Sequence, residues 1–127
     1  DSRDQIRKCR VLGAEPAIAD DAWRSLQAGA IVPAINPVTV ADGLRTSLGD
    51  LTFPIIRRLV GEIITVSEEE IIAAMRLIWE RMKIIVEPSA AVPLAAILAR
   101  PEEFAGRKVG VILSGGNVDL ERLPWLA

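Results

Sequence analysis

The 127-residue sequence contains no histidine and a single cysteine, Cys9. These absences exclude ordinary zinc sites, Cys/His catalysis and an internal disulfide. Any chemistry in this chain must therefore use carboxylates, hydroxyls, amides or a bound cofactor.

The sequence also lacks an excess of either charge and any long apolar run. Its 15 basic and 17 acidic residues are mixed along the chain, so no basic stripe could follow the phosphates of a nucleic acid. The longest apolar stretches fall far short of the ~20 residues that span a bilayer, and the charged opening resembles neither a signal peptide nor an anchor. We therefore expect a cytoplasmic protein without a nucleic-acid or membrane partner. Its length predicts a single domain over residues 1–127, with a leader of uncertain structure over 1–10.

What the sequence does contain is an alternation of strand and helix patterns. Short apolar segments predict strands over 10–14, 62–66 and 109–113. Helices are predicted over 21–28, 51–60, 68–82 and 88–98, and a long structured loop over 30–50. Nearly continuous apolar strands between helices predict an α/β architecture built on a parallel sheet.

Two local signals concern the predicted helices. Ser67 and Glu70 form a capping-box pattern at the start of the third helix. Behind them, an apolar face recurs at helical spacing through Ile71, Met75, Ile78 and Met82, with Ile72 and Trp79 beside it. In the next segment Pro93 lacks an N–H, so we expect it to break or kink any helix that is already one turn long.

The segment Ser114-Gly115-Gly116-Asn117 follows the predicted strand 109–113 directly. In parallel sheets ligands bind outside the carboxyl ends of the strands, which favours a ligand loop here. A plain tight turn is the alternative, because glycine supplies positive φ and asparagine tolerates it. The segment has neither the lysine of a P-loop nor the spacing of a dinucleotide fold, and the spacing leaves both interpretations open.

Several segments in order carry a family resemblance. They are AEPAIADDAWRS (14–25), VADGLRTSLG (40–49), ITVSEEEI (64–71), WERMKIIVEPS (79–89), EPSAAVPLAAIL (87–98) and VGVILSGGNVDL (109–120). Together they resemble the carboxyl-terminal part of the pyridoxal-phosphate-dependent serine/threonine dehydratase and serine racemase family. The resemblance implies a partial, three-layer parallel-sheet domain: the carboxyl-terminal part of the large domain of a tryptophan-synthase-beta-like enzyme.

The resemblance also implies a cofactor site. In that family the serine of the SGGN segment forms a hydrogen bond at the pyridine nitrogen, and the ADG turn and the EPS glutamate approach the cofactor. A neutral hydroxyl leaves the ring nitrogen largely unprotonated, which suits β-elimination better than transamination. The implied contacts with pyridoxal phosphate are Ser114, Gly115, Gly116, Asn117, Asp42, Gly43 and Glu87.

Two further sites are implied in the same way. A divalent cation would bind Glu15, the carbonyl of Ala19 and Asp21, an oxygen set that suits Mg²⁺ or Ca²⁺. Helix capping by the acidic residues is the alternative there. An ATP site at a dimer interface would contact Lys83 and Asn117, although Lys83 also suits a helix C-terminus through the dipole.

The sequence departs from the family in one respect. The Schiff-base lysine of an SFKxRGA-type motif and the glycine-rich phosphate loop are absent, since Lys8, Lys83 and Lys108 lie in other contexts. The chain resembles the last two fifths of such an enzyme, so we expect the isolated chain to be inactive.

The implied reaction is α-proton abstraction and β-elimination on small hydroxy amino acids. Serine, threonine and hydroxyaspartate remain open as substrates, and racemisation begins with loss of the same proton. Expected partners are a second copy of the chain or a complementing amino-terminal fragment. The alternative is a non-catalytic binding or assembly module from a truncated or split gene.

Overall fold

The computed structural model describes residues 9–126, so the expected leader at 1–10 lies outside them except for its last two residues. Helices and strands alternate, which confirms the predicted α/β class. The elements are β1 (Val11–Pro16), α1 (Asp21–Ala28), a 3-10 turn (Asp42–Leu44), α2 (Phe53–Leu59), β2 (Val60–Val66), α3 (Glu68–Met82), α4 (Pro88–Ala99) and α5 (Pro101–Phe104).

The two strands form a parallel pair. Leu12 lies opposite Glu62 and Pro16 opposite Val66, after a register shift at the start of β1. Because parallel neighbours need a long crossover, the chain between them carries α1, the long loop and α2. Gly13 permits this close pairing, since a Cβ there would lie 2.9 Å from Cγ1 of Ile63.

The core lies between β2 and the helices α3 and α4. Alanines dominate the α4 side, and their small side chains let the two helices approach closely. The members of this core that these three elements supply are Ile64 and Val66 of β2, Ile71, Ala74, Met75 and Ile78 of α3, and Ala90, Ala91, Val92, Ala95 and Ala96 of α4.

Helix α3 begins as its sequence predicts. The Ser67 hydroxyl accepts from the backbone N–H of Glu70 at 3.2 Å, and the Glu70 carboxylate accepts from the N–H of Ser67 at 2.7 Å. Met82 is 57% exposed, because the last turn extends past the core that buries the earlier face positions. Among the described residues, no helix is both long enough and apolar enough to cross a membrane.

The break expected at Pro93 does not occur. Helix α4 begins with Pro88 and continues through Pro93 to Ala99. Pro93 removes a single helical N–H, the one that would reach the carbonyl of Ser89 in the first turn. Burial of the surrounding alanines compensates for this loss.

The strand expected over 109–113 is also not formed. Residues 107–119 have no regular secondary structure, and within residues 9–126 only β1 and β2 pair as a sheet. A strand requires a neighbour for its backbone hydrogen bonds, and this segment has none there. Its apolar side chains are exposed, Ile112 to 80%, although Leu113 packs against the core.

Candidate functional site

Three segments that are distant in sequence meet near the N-terminus of α4. The backbone N–H of Glu87 donates to the carbonyl oxygen of Gly115 at 3.1 Å. A Cβ on Gly115 would collide with the Glu87 carboxylate, and one on Gly43 would lie 3.0 Å from Oγ of Ser89. We call this place the crevice, and define it by residues 42–43, 87–89 and 114–117.

The glycines of the crevice serve close backbone approach rather than a left-handed turn. The positive-φ glycines of the described chain are Gly29 and Gly106, so Gly115 and Gly116 have ordinary backbone angles. A Cβ on Gly116 would lie 2.9 Å from the carbonyl oxygen of Ile85. The geometry therefore does not support the tight-turn interpretation, which rested on positive φ.

The crevice leaves its predicted ligand-facing residues accessible. Asp42, Ser114 and Asn117 are exposed, while Glu87 is half-buried. None of them lies in the packed interior. A carboxylate and a hydroxyl thus stand at the surface, beside a backbone without side chains at positions 115 and 116.

Ser89, two residues after Glu87 and packed against Gly43, is a crevice residue that sequence patterns did not single out. Its hydroxyl is the one buried side-chain polar atom of residues 9–126 without a hydrogen-bond partner. A buried hydroxyl without a partner costs about 1–3 kcal/mol, so native structures rarely keep one without a reason. Its place in the EPS motif, two residues after Glu87, was the available signal.

The segment that carries Glu87 is held by aromatic side chains. The indole N–H of Trp79 in α3 donates to the carbonyl of Val86 at 2.9 Å. The Trp79 ring meets that of Trp125 edge-on, with centroids 5.3 Å apart and planes at 83°. The α3–α4 connection is thereby fixed immediately before Glu87.

Glu15 forms the cap of α1. Its two carboxylate oxygens accept from the backbone N–H groups of Ala22 at 3.2 Å and Trp23 at 2.6 Å. Asp20 instead pairs with Arg24 at 2.7 Å and makes no side-chain cap. The capping alternative therefore applies to Glu15, which lies six residues before the helix, and not to Asp20.

Glu15 and Asp21 form a buried acidic pair. The pKa of Glu15 is raised to about 7, chiefly by burial and in smaller part by the negative charges of Asp21 and Asp20, against the opposing effect of the helix N–H groups. Burial likewise raises the pKa of Asp21. Both residues line a cavity of about 260 Å³ beneath the loop that contains Thr46 and Ser47.

This pair has the donor chemistry of a hard-cation site. Each carboxylate oxygen of Glu15 keeps lone-pair capacity beyond its single N–H bond. In the described part of the chain no three acidic or cysteine side chains are grouped as a metal cage, so a cation here would depend on two carboxylates and a carbonyl. The Ala19 residue that would supply that carbonyl is buried.

The two residues expected to contact a nucleotide, Lys83 and Asn117, flank the contact between Ile85 and Gly116. Lys83 ends α3 with a left-handed φ of 59° and is exposed. Two residues later Ile85 presents its carbonyl to Gly116, which directly precedes Asn117.

Comparison with known proteins decides the family. A family model described as pyridoxal-phosphate dependent enzyme matches residues 2–115. The chain belongs to this family. It is 57% identical over 116 residues to a beta-hydroxyaspartate dehydratase of Paracoccus denitrificans, covering 91% of this chain and 37% of that protein.

Two further relatives carry other activities in their names. The chain is 53% identical over 121 residues to a serine racemase of Dictyostelium discoideum, covering 90% of this chain and 36% of the relative. A solved threonine deaminase from T.th. superposes with a TM-score of 0.82 at 51% identity, covering 87% of this chain and 40% of that one. The chain therefore spans a little over a third of the length of the curated relatives it matches.

Proposed function

We propose that this chain is the carboxyl-terminal part of a pyridoxal-phosphate-dependent dehydratase (ammonia-lyase) or racemase that acts on small hydroxy amino acids. The names of the relatives support this substrate class: hydroxyaspartate, serine and threonine are all small amino acids with a β-hydroxyl.

The contact between the three crevice segments is the observation that carries the proposal. Residues 42–43, 87–89 and 114–117 are separated by more than 20 positions in the chain, yet Gly43 touches Ser89 and Gly115 touches Glu87. The chemistry of these residues fits the ring side of the cofactor, since a hydroxyl and carboxylate groups stand together at the surface of the crevice.

In this proposal each residue has a definite role. When bound, the cofactor supplies the electron sink that acidifies the α-proton of the substrate. The Ser114 hydroxyl would bond to the ring nitrogen without placing a formal charge there. Gly115 and Gly116 let their backbone lie directly against Glu87 and Ile85, which would hold Ser114 at the edge of the ring. Glu87 and the turn at residues 42–43 border it.

A divalent cation is the second part of the proposal. Glu15, the Ala19 carbonyl and Asp21 would hold Mg²⁺ or Ca²⁺, because a cation offsets the repulsion between two buried carboxylates. Burial, the main cause of the raised pKa of Glu15, disfavours its charged form, and a bound cation would offset that cost. Lys83 and Asn117 would contact a nucleotide phosphate only at an interface between copies.

We expect the isolated chain to bind the cofactor weakly and to release no ammonia. Its lysines, Lys8, Lys83 and Lys108, lie outside any Schiff-base motif. The direct test mixes the chain with an amino-terminal segment of a relative that supplies the lysine and the phosphate loop. Formation of 2-oxo acid from serine, threonine and hydroxyaspartate is then measured.

Restored activity in the mixture, with none in either part, supports the proposal. The Ser114→Ala chain is the informative variant, and Gly110→Ala is its control because a Cβ at 110 meets nothing within 4 Å. Activity of the chain without a partner, or full activity of Ser114→Ala in the mixture, would overturn it.

A binding or assembly module is the second candidate. The exposed apolar segment 109–113 favours it, since an extended chain with free backbone groups can add to the edge of another sheet. A mixture that forms a stable complex without catalysis would favour this candidate.

A further inference from the structure

The turn at residues 42–43 is attached to helix α3 through Glu68. The Glu68 carboxylate accepts from the Thr39 hydroxyl at 2.7 Å and from the backbone N–H of Val40 at 2.6 Å. These bonds cross 28 and 29 positions of the chain. They attach residues 39 and 40, which lead into the turn, to the first residue of the helix.

Thr39 also forms hydrogen bonds with residues on both sides of the turn. Its hydroxyl accepts from the backbone N–H of Ala41 at 3.1 Å, and the Arg45 guanidinium donates to its carbonyl at 3.1 and 2.5 Å. Thr39 and Ala41 are almost completely buried, with 1% and 0% exposure. Glu68, Thr39 and Arg45 therefore enclose the turn from both ends.

Each of the three acidic residues at the start of α3 has a different environment. Glu70 forms the capping box, Glu69 is exposed without a hydrogen bond in the described structure, and Glu68 reaches the loop. A carboxylate in the first turn is favoured by the helix dipole, and its charge strengthens the bonds it accepts. Glu68 thus contributes to two elements at once.

We propose that Glu68 is a positioning residue, which fixes the Asp42–Gly43 turn against Ser89 and so shapes one wall of the crevice. The proposal deepens the proposed function, and it rests on that function only for the identity of the ligand. The position of the turn is a property of the chain itself. Loss of Glu68 should loosen the turn while α3 keeps its own cap at Ser67.

The experiment compares Glu68→Ala, Glu68→Gln and Glu69→Ala in the 127-residue chain. Amide hydrogen exchange is measured by NMR at Asp42 and Leu44, whose N–H groups bond to Val40 and Ala41 and do not touch Glu68. Exchange at the Met75 amide in α3 gives the change in overall stability.

We expect Glu68→Ala to speed exchange at Asp42 and Leu44 by at least about tenfold relative to Met75, since two charge-assisted bonds are lost. Glu68→Gln keeps one accepting oxygen and should fall between the wild type and Glu68→Ala. Glu69→Ala loses only the dipole interaction, which acts on the helix as a whole, and should not speed exchange at Asp42 and Leu44 relative to Met75. An equal acceleration at all three amides, or the same effect from Glu69→Ala, would overturn the proposal.

A second arm separates this proposal from the function. Pyridoxamine 5′-phosphate, which has no aldehyde to react with lysines, is titrated while the Ser114 amide is observed. Weaker binding by Glu68→Ala than by Glu69→Ala supports the positioning role. If the wild type shows no response, the proposed function fails, and the exchange measurement still decides the role of Glu68. Thr39→Val, which removes the hydroxyl, replaces Glu68→Ala if that variant does not fold.

Discussion

The backbone N–H of Glu87 donates a 3.1 Å hydrogen bond to the carbonyl oxygen of Gly115. This bond joins the N-terminus of α4 to the segment 107–119, which forms neither helix nor strand. It brings the Glu87 carboxylate so close to Gly115 that position 115 has no room for a side chain. The bond therefore explains why bare backbone follows Ser114.

Alanine substitutions at three glycines should separate their roles. Gly116→Ala should lower the free energy of unfolding by about 1–3 kcal/mol, because its methyl group would meet the backbone carbonyl of Ile85, which cannot move easily. Gly115→Ala should cost less, since the Glu87 carboxylate can swing away. Gly110→Ala, with open space around it, should be neutral. Urea unfolding of the three variants measures this order, and equal costs at 110 and 116 would contradict the contact.

Glu15 should make the chain less stable as pH rises. Its pKa is about 7 in the folded state and 4.5 ordinarily, so between these values the folded state binds more protons. The contribution is complete below pH 4.5 and is lost as pH rises through 7. We expect the free energy of unfolding to fall by about 1–2 kcal/mol over this pH range, after allowance for solvent screening.

Urea unfolding from pH 4.5 to pH 8 checks this prediction. Glu15→Gln cannot titrate and should flatten most of the slope, leaving the smaller contribution of Asp21. The exposed Glu69→Gln serves as the control. An unchanged slope in Glu15→Gln would show that the acidic pair does not cause it.

A divalent cation at the same pair should stabilise the chain in a pH-dependent way. Protons compete with the cation for the Glu15 carboxylate, so Mg²⁺ or Ca²⁺ should raise Tm more at pH 8 than at pH 5.5. Asp21→Asn should abolish the effect, while Asp50→Asn, an exposed acidic residue, should not. An equal rise in Tm at both pH values would argue against binding at Glu15.

The exposed segment 109–113 should cause self-association. Apolar side chains and free backbone groups at an open edge favour pairing between copies. Ile112→Lys should shift the chain toward monomer in sedimentation velocity, because it places a charge at the most exposed position of the segment. Leu51→Lys, at a side chain of similar exposure elsewhere, is the control. A wild-type chain that stays monomeric and unfolds cooperatively would contradict this prediction.

Local signals in the sequence predicted the local structure. The capping box at Ser67 depends on neighbours within four residues, and it appears as expected. The predicted strand 109–113 failed because a strand depends on a partner from elsewhere. Burial of alanines likewise kept α4 continuous through Pro93, a tertiary effect that local rules do not contain.

The candidate site shows the same difference between local signals and tertiary contacts. The family resemblance pointed to Asp42, Gly43, Glu87 and Ser114, and the structure brings their segments together. The contacts that hold those segments are long-range: Glu68 bonds to Thr39, and Glu87 bonds to Gly115. Patterns read within one segment contain no information about such pairs.

Titration of the chain with pyridoxamine 5′-phosphate, followed by NMR of backbone amides, tests the central claim most directly. The account predicts weak, saturable shifts at Ser114, Gly115, Gly43 and Glu87, and their loss in Ser114→Ala with an unchanged unfolding free energy. Shifts confined to other parts of the chain, or equal binding by Ser114→Ala, would contradict it.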